Sequence, residues 1–180
     1  TGVQRVLFRS PNFLIGIGDV TGPYEKFPGV RQDEIPNNRE LARHILQHGR
    51  AHGFDWSASK SLRVDHSVGL PARICALPNP TVKGVIPVYL ASGVEPLIPI
   101  RRAYEVGGAI RAAVEAADAD ERVVVIGSGG ISHWVGMPRM GDHNEGFDRM
   151  VLDCVVRGDP EPLFALSDAE IIEQAGNGGL

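Results

Sequence analysis

Two histidines in this sequence each follow a short predicted strand, where an imidazole could transfer protons. His133 comes after the β-branched run Val123–Ile126 and a glycine-rich turn. His66 comes after the short predicted strand Ser61–Val64, with Asp65 directly before it. Histidine changes charge near neutral pH, which suits it to general acid and base catalysis. We therefore treat His133 and His66 as candidate catalytic residues.

The glycine-rich turn Gly127–Gly130 admits three other interpretations. A phosphate-binding loop needs a Lys-Ser or Lys-Thr pair after its glycines, and no such pair follows this turn. A dinucleotide-binding turn needs a third glycine at the position where Ser132 stands. An α/β hydrolase could use Ser128 or Ser132 with His133, although the nucleophile turn G-x-S-x-G is absent. The hydrolase remains an alternative function.

Three more histidines, His44, His48 and His52, recur every four residues in a predicted helix. This spacing places them on one face, as a metal-binding helix requires. However, no carboxylate or cysteine stands where it would complete a ligand set. We therefore expect a polar flank exposed to solvent.

The alternation of apolar runs and turns predicts an α/β fold with a single mixed or mostly parallel sheet, flanked by helices on both faces. The predicted strands are Asn12–Ile17, Ser61–Val64, Gly84–Ala91 and Val123–Ile126. The predicted helices are Asn38–His52, Val68–Leu77, Ile100–Ala117, Asn144–Arg157 and Ser167–Ala175. In such sheets ligands collect outside the carboxyl ends of the strands, so we expect His66 and His133 to face one crevice.

Composition argues against several kinds of partner. The 180 residues carry a formal net charge of -4, which favours neither nucleic acid nor an anionic membrane. No apolar run approaches the ~20 residues that a membrane-spanning helix needs. Cys75 and Cys154 lack metal-binding spacing and indicate two buried, reduced thiols in a cytoplasmic protein.

Both ends of the sequence are unusual. Residues 1–10 look like a translated sequencing adapter, so we exclude them from the fold as a non-native leader. The last residues, Gly176–Leu180, contain neither a cap nor a charged side chain. We therefore expect residues 11–180 to be an incomplete domain.

Several segments, in consistent order, resemble the class III extradiol ring-cleaving dioxygenases, in particular the catalytic beta subunits that cleave protocatechuate and gallate. These segments are Val64–Ser67, Gly127–His133, Pro138–Gly141 with Asn144–Asp148, and Ser167–Gly179. The resemblance implies an enzyme that opens the ring of a catecholic acid with O2 and yields a semialdehyde or a dicarboxylic acid. A non-enzymatic binding member of the same superfamily is a further alternative.

The same resemblance implies roles for individual residues. His133 would take a proton from a substrate hydroxyl and return it during ring opening. His66 would line the same pocket and hydrogen-bond substrate or oxygen. Ser132, Gly130 and Asp65 would belong to the substrate site, with Asp65 either orienting a neighbour or capping a turn.

The resemblance further implies Fe(II) as the cofactor, which this family holds through two histidines and one glutamate. The corresponding positions fall before the matched segments and after Leu180, so we predict no metal ligand within this sequence and no turnover by the 180-residue chain. The implied partners are the catecholic acid, O2, a small alpha subunit (separate or fused) and further copies of the chain in an oligomer.

Overall fold

The computed structural model describes residues 12–93, 97–117 and 120–178, so the predicted leader at residues 1–10 lies outside the described chain. The described chain contains a mixed three-stranded sheet together with several helices. The predicted α/β class with a mixed sheet is therefore confirmed. No helix in these ranges is both long enough and apolar enough to cross a membrane.

The chain divides into two compact units. The first comprises Thr1–Leu90 and Gly107–Ser128, and the second comprises Ala91–Val106 and Gly129–Leu180. The first contains β1 (Phe13–Thr21), α1 (Arg39–Ala51), β2 (Ser57–Arg63), α2 (His66–Leu70), a π-helical turn (Pro71–Ala76) and β3 (Val88–Leu90). The helix α3 (Ile100–Glu115) spans the division in the sequence. The second contains α4 (Glu145–Arg157), α5 (Glu161–Phe164), α6 (Asp168–Ala175) and a 3-10 turn (Gly176–Gly178).

The sheet has the strand order β2-β1-β3. Strand β1 is parallel to β2, with Leu14 opposite Ser57 and Thr21 opposite Arg63, and it is antiparallel to β3. Strand β1 continues four residues beyond the predicted end at Ile17. Because parallel neighbours end at the same edge of a sheet, the segments that follow β1 and β2 begin side by side.

The segment Val123–Ile126 does not form the predicted strand. It pairs with none of the strands in the described sheet, and the exposed fraction of its side chains ranges from 40% at Val123 to 80% at Val124. β-Branched residues favour extended backbone, but a strand also needs a neighbour that pairs its N–H and C=O groups. The described sheet supplies no such neighbour. His133 therefore does not follow a strand, contrary to the prediction.

The predicted helix starts at Asn38, Asn144 and Ser167 are confirmed, and each of these residues is an N-cap. Asn38 caps α1 by accepting a hydrogen bond from the Leu41 amide at 3.2 Å, and Asn144 caps α4 through the Phe147 amide at the same distance. Ser167 forms a capping box at the start of α6. These bonds satisfy amides that have no partner inside their own helix.

Each unit has its own apolar core. In the first unit the core contains Val20, Ile35, Val64 and Ala72. In the second it contains Phe147, Ile171 and Ala175. Burying one such large aliphatic or aromatic side chain contributes about 1.5–3 kcal/mol to folding. Cys154 is buried and Cys75 is exposed, so the prediction of two buried thiols is wrong for Cys75.

Candidate functional site

His66 is the first residue of α2 and follows the end of β2. The preceding Val64 is fully buried, and its amide donates to the Thr21 carbonyl at 2.8 Å, which ties this segment to β1. Asp65 is the N-cap of α2, because its Oδ1 accepts from the Ser67 amide at 3.1 Å and from the Ser67 hydroxyl at 2.5 Å. Asp65 thus caps the helix that begins with His66.

Tyr89 gives Asp65 a second structural partner. The Tyr89 hydroxyl donates to Asp65 Oδ1 at 3.1 Å and accepts from the Asp65 amide at 3.3 Å. Burial raises the pKa of Tyr89, and the negative charge of Asp65 raises it further. The hydroxyl therefore stays protonated and remains a donor, which holds the Asp65 carboxylate at the start of α2.

Glu25 is a partner of His66 that the sequence pattern did not reveal. Its Oε1 lies 2.8 Å from Nδ1 of His66, and the ring of Phe27 approaches the imidazole edge to face at 6.4 Å between centroids. Glu25 stands in the loop after β1, just as His66 stands after β2. The parallel pairing of these strands explains how residues so distant in the sequence meet. A search for charged residues after neighbouring strands would have found Glu25.

His133 lies in the second unit, where the turn after α6 holds its main chain. Its amide donates to the Ala175 carbonyl at 2.9 Å, and its carbonyl accepts from the Gly178 amide at 3.0 Å. A Cβ atom at Gly178 would lie 1.9 Å from Nδ1 of His133, and one at Gly176 would lie 2.7 Å from the His133 carbonyl oxygen. The glycines of this turn are therefore needed for His133 to occupy its position.

Within the described chain, the imidazole of His133 has no hydrogen bond that matches those of its main chain. Nδ1 is buried and has no hydrogen-bond partner among the described residues. A buried polar atom without a partner costs about 1–3 kcal/mol and calls for a functional or structural explanation. Gly130 faces the same atom, since a Cβ there would lie 3.3 Å from Nδ1. His133 therefore combines a backbone that is held on both sides with a buried ring nitrogen that has no partner among the described residues.

Ser132 joins the histidine segment to α4. It is buried, its hydroxyl oxygen accepts from the Asn144 amide at 2.7 Å, and its own amide donates to Asp148 Oδ1 at 2.9 Å. Ser128, the other candidate nucleophile, is exposed. The bonds of Ser132 give it a structural role beside His133, while its predicted contact with substrate stays a prediction.

The three helix histidines are packed more closely than expected. The rings of His48 and His52 stack at 4.1 Å between centroids, and Nε2 of His44 donates to the Ala113 carbonyl at 2.9 Å. His52 is exposed, but His44 and His48 are only half-exposed, so the expected solvent-exposed flank is wrong for these two. Burial lowers the pKa of His48, and the neighbouring histidines lower it further.

A resident metal ion does not fit the side chains that the structure describes. Within residues 12–93, 97–117 and 120–178, no group of three or more His, Cys, Asp or Glu side chains is arranged to hold one. The Fe(II) implied by the resemblance therefore has no ligand set in this part of the chain. The chemistry that these residues offer consists of proton transfer and hydrogen bonding.

The predicted site residues fall into the two units. Asp65 and His66 belong to the first unit, and Gly130, Ser132 and His133 belong to the second. Within the second unit, Gly130 lies beside His133, since a Cβ atom on Gly130 would be 3.3 Å from Nδ1. That both histidines face one crevice stays a prediction.

The chain is similar to known aromatic ring-opening dioxygenases. Residues 6–180 match the family model described as the catalytic LigB subunit of aromatic ring-opening dioxygenase. A gallate dioxygenase of Pseudomonas putida is 31% identical over 146 residues, which cover 81% of this chain and 43% of that protein.

Two further relatives carry the name 2,3-dihydroxyphenylpropionate/2,3-dihydroxicinnamic acid 1,2-dioxygenase. The protein from Mycolicibacterium gilvum is 34% identical, with 83% of this chain and 44% of the relative covered. The protein from Rhodococcus globerulus is 29% identical, with 79% and 44% covered. The chain thus spans less than half the length of these relatives.

Proposed function

Because the chain belongs to the LigB family of catalytic subunits of aromatic ring-opening dioxygenases, we propose that its protein opens the ring of a catecholic acid with O2. The product would be a semialdehyde or a dicarboxylic acid. The names of the relatives, which include gallate and 2,3-dihydroxyphenylpropionate, support a hydroxylated aromatic acid as the substrate. Within that class we propose an acid of the gallate or protocatechuate type. Membership of this family argues against the alternative of a hydrolase that uses Ser128 or Ser132.

The observation that carries the proposal is the state of His133. Its main chain is held by two hydrogen bonds, while the buried Nδ1 has no partner among the residues described. We assign the proton transfer to His133. Its imidazole accepts a proton from a substrate hydroxyl and returns that proton during ring opening. A general acid or base that is positioned in this way contributes about 10²–10⁴-fold to the rate.

His66 is assigned the second polar contact with the substrate or with oxygen. Its side chain is 59% exposed, so the imidazole has room for a ligand. Gly130 keeps space open beside the His133 ring, and Ser132 fixes the segment that carries it. Asp65 contributes indirectly, because it caps the helix that begins with His66.

Membership of the family also supports a proposal for the cofactor and for the protein partners. Enzymes of this kind are generally non-haem iron proteins, and we propose Fe(II) for the whole protein. The roles that we assign to His133 and His66 are proton transfer and positioning, and the described residues contain no group of three potential metal ligands. We also propose that the chain works with a small alpha subunit or with further copies of itself. The exposed side chains of Val155 (70%) and Val156 (84%) on α4 support such a contact.

The test uses the protein expressed from its complete gene and supplied with Fe(II). Oxygen uptake and the absorbance of the ring-opened product are followed with gallate, protocatechuate and 2,3-dihydroxyphenylpropionate. We expect turnover of at least one acid, and His133→Ala should lower kcat by about 10²-fold or more with unchanged iron content. His143→Ala is the matched control, because His143 is an exposed histidine ten residues away.

Three results would contradict the proposal. Binding of the acids without oxygen uptake would indicate a non-enzymatic member of the superfamily. Loss of iron in His133→Ala would show that this residue is a ligand rather than a base. An equal loss of activity in His143→Ala would show that the effect is not specific to His133.

A further inference from the structure

The carboxylate of Glu25 contacts His66 and has no role in the function proposed above. We propose that Glu25 is a positioning residue, which keeps a hydrogen on Nδ1 of His66 and thereby leaves Nε2 to meet the substrate. The part of this inference that concerns substrate rests on the proposed function. The placement of the hydrogen does not, and it can be measured without turnover.

The chemistry of the two groups determines which one donates. Oε1 of Glu25 and Nδ1 of His66 are 2.8 Å apart, which is a hydrogen-bond distance. An ionised carboxylate carries no hydrogen and only accepts, so the hydrogen must be on Nδ1. A neutral imidazole has one N–H, and Nε2 is then the atom with the lone pair. A protonated imidazole would instead present an N–H at Nε2 and would still donate from Nδ1 to Glu25.

The loop that carries Glu25 is held in place by its own hydrogen bonds. The side-chain amide nitrogen of Gln32, which has two hydrogens to donate, lies 2.9–3.0 Å from three successive carbonyl oxygens, those of Pro23, Tyr24 and Glu25. The Tyr24 amide donates to the Val64 carbonyl at 3.0 Å. Since Val64 precedes His66 by two residues, this bond joins the Glu25 loop directly to the segment that carries the imidazole.

Two contacts from the helical segment after His66 strengthen this connection. A Cβ atom at Gly69 would lie 2.6 Å from Pro23 Cβ, so α2 packs closely on the start of the loop. Arg73, whose side chain is only 13% exposed, donates to the Asp33 carbonyl and to Asp33 Oδ1, both at 2.7 Å. Glu25 and His66 therefore lie on two segments that are fastened together, as preorganisation of a site requires.

The Glu25 side chain is more buried than the His66 side chain, as expected if Glu25 positions the imidazole from the protein side. The Glu25 side chain is 27% exposed and the His66 side chain is 59% exposed. The carboxylate therefore lies on the protein side of the imidazole, with Phe27 against the ring. A carboxylate on the outer side would instead compete with a ligand for the exposed part of the ring.

Histidine-labelled protein provides the direct test. Long-range ¹H–¹⁵N correlation spectra of the 180-residue chain report which nitrogen carries the hydrogen, with His66→Ala used to assign the signals. We expect His66 to show the Nδ1–H form at a pH where it is neutral. Glu25→Leu should give a mixture of the Nδ1–H and Nε2–H forms of the His66 ring. Glu25→Gln should largely retain the Nδ1–H form, because the amide oxygen still accepts a hydrogen bond. Glu34→Gln is the control, since Glu34 is an exposed carboxylate in the same loop.

An unchanged His66 spectrum in a folded Glu25→Leu variant would overturn the proposal. In the protein from the complete gene, Glu25→Leu should lower kcat by roughly 10–100-fold with little change in KM, as expected for loss of a histidine-orienting partner. Recovery in Glu25→Gln supports positioning, and equal loss in Glu34→Gln contradicts it. If the wild-type protein turned over no catechol, the proposed function would fail while the spectra would still decide the role of Glu25.

Discussion

Replacing Gly178 by alanine tests how the second unit positions His133. The added Cβ would lie 1.9 Å from Nδ1, 2.1 Å from Cε1 and 2.6 Å from Cγ of the imidazole. Favourable contact between such atoms needs ~3.5 Å, so the nearest pair would be roughly 1.5 Å too close. The ring is held at its backbone on both sides, by Ala175 and by Gly178 itself. We therefore expect the imidazole to turn away rather than the turn to open.

The structure gives this change an approximate magnitude. Forcing one extra methyl group into a packed site costs about 1–3 kcal/mol. For a chain of this size, that corresponds to a decrease in Tm of roughly 2–12 °C. A catalytic group displaced by about 1 Å can lose about 10²-fold in rate. Gly178→Ala should therefore approach the low activity of His133→Ala while the protein remains folded.

The assay combines thermal unfolding of the 180-residue chain with the NMR signal of the His133 ring. Gly127→Ala is the control, because a Cβ atom there would have no neighbour within 4 Å. We expect Gly178→Ala to lower Tm and move the His133 signal, and Gly127→Ala to do neither. A Gly178→Ala protein with unchanged Tm and an unchanged His133 signal would refute the assigned packing of this turn.

Two further predictions concern stability. The folded chain lowers the pKa of His48 below its ordinary value of 6.5. Below pH 6.5 the unfolded chain therefore binds more protons than the folded chain does. As a result, the free energy of unfolding falls as the pH falls below 6.5. His48→Gln should reduce the fall in Tm between about pH 7 and about pH 5. An equal reduction in a variant of the exposed residue His143, His143→Gln, would contradict the assignment to His48. Asn144→Ala should lower the free energy of unfolding by about 1 kcal/mol, because it removes the cap of α4. Asn144→Asp should retain most of the stability in urea unfolding, and a loss as large as that of alanine would argue against capping.

Features that depend on nearby residues could be predicted well. The caps Asn38, Asn144 and Ser167 each bond to an amide three residues ahead, so their partners are adjacent in the sequence. Strand β1 and the helices α1, α3, α4 and α6 followed from the alternation of apolar runs and turns in the same way. The segment Val123–Ile126 had an equally clear local pattern, yet it forms no strand in the described sheet. Its structure depends on a partner strand, which no local pattern specifies.

Residue types and their order were sufficient to identify the fold class, the family and the candidate histidines. The surroundings of those histidines required the tertiary structure. Glu25 and His66 are 41 residues apart, and they meet because β1 and β2 pair in parallel. Gly178 makes room for His133 from 45 residues further along the chain, through the turn that follows α6. Such contacts depend on strand pairing and on the packing of distant segments, so only the folded chain determines which group holds each imidazole in place.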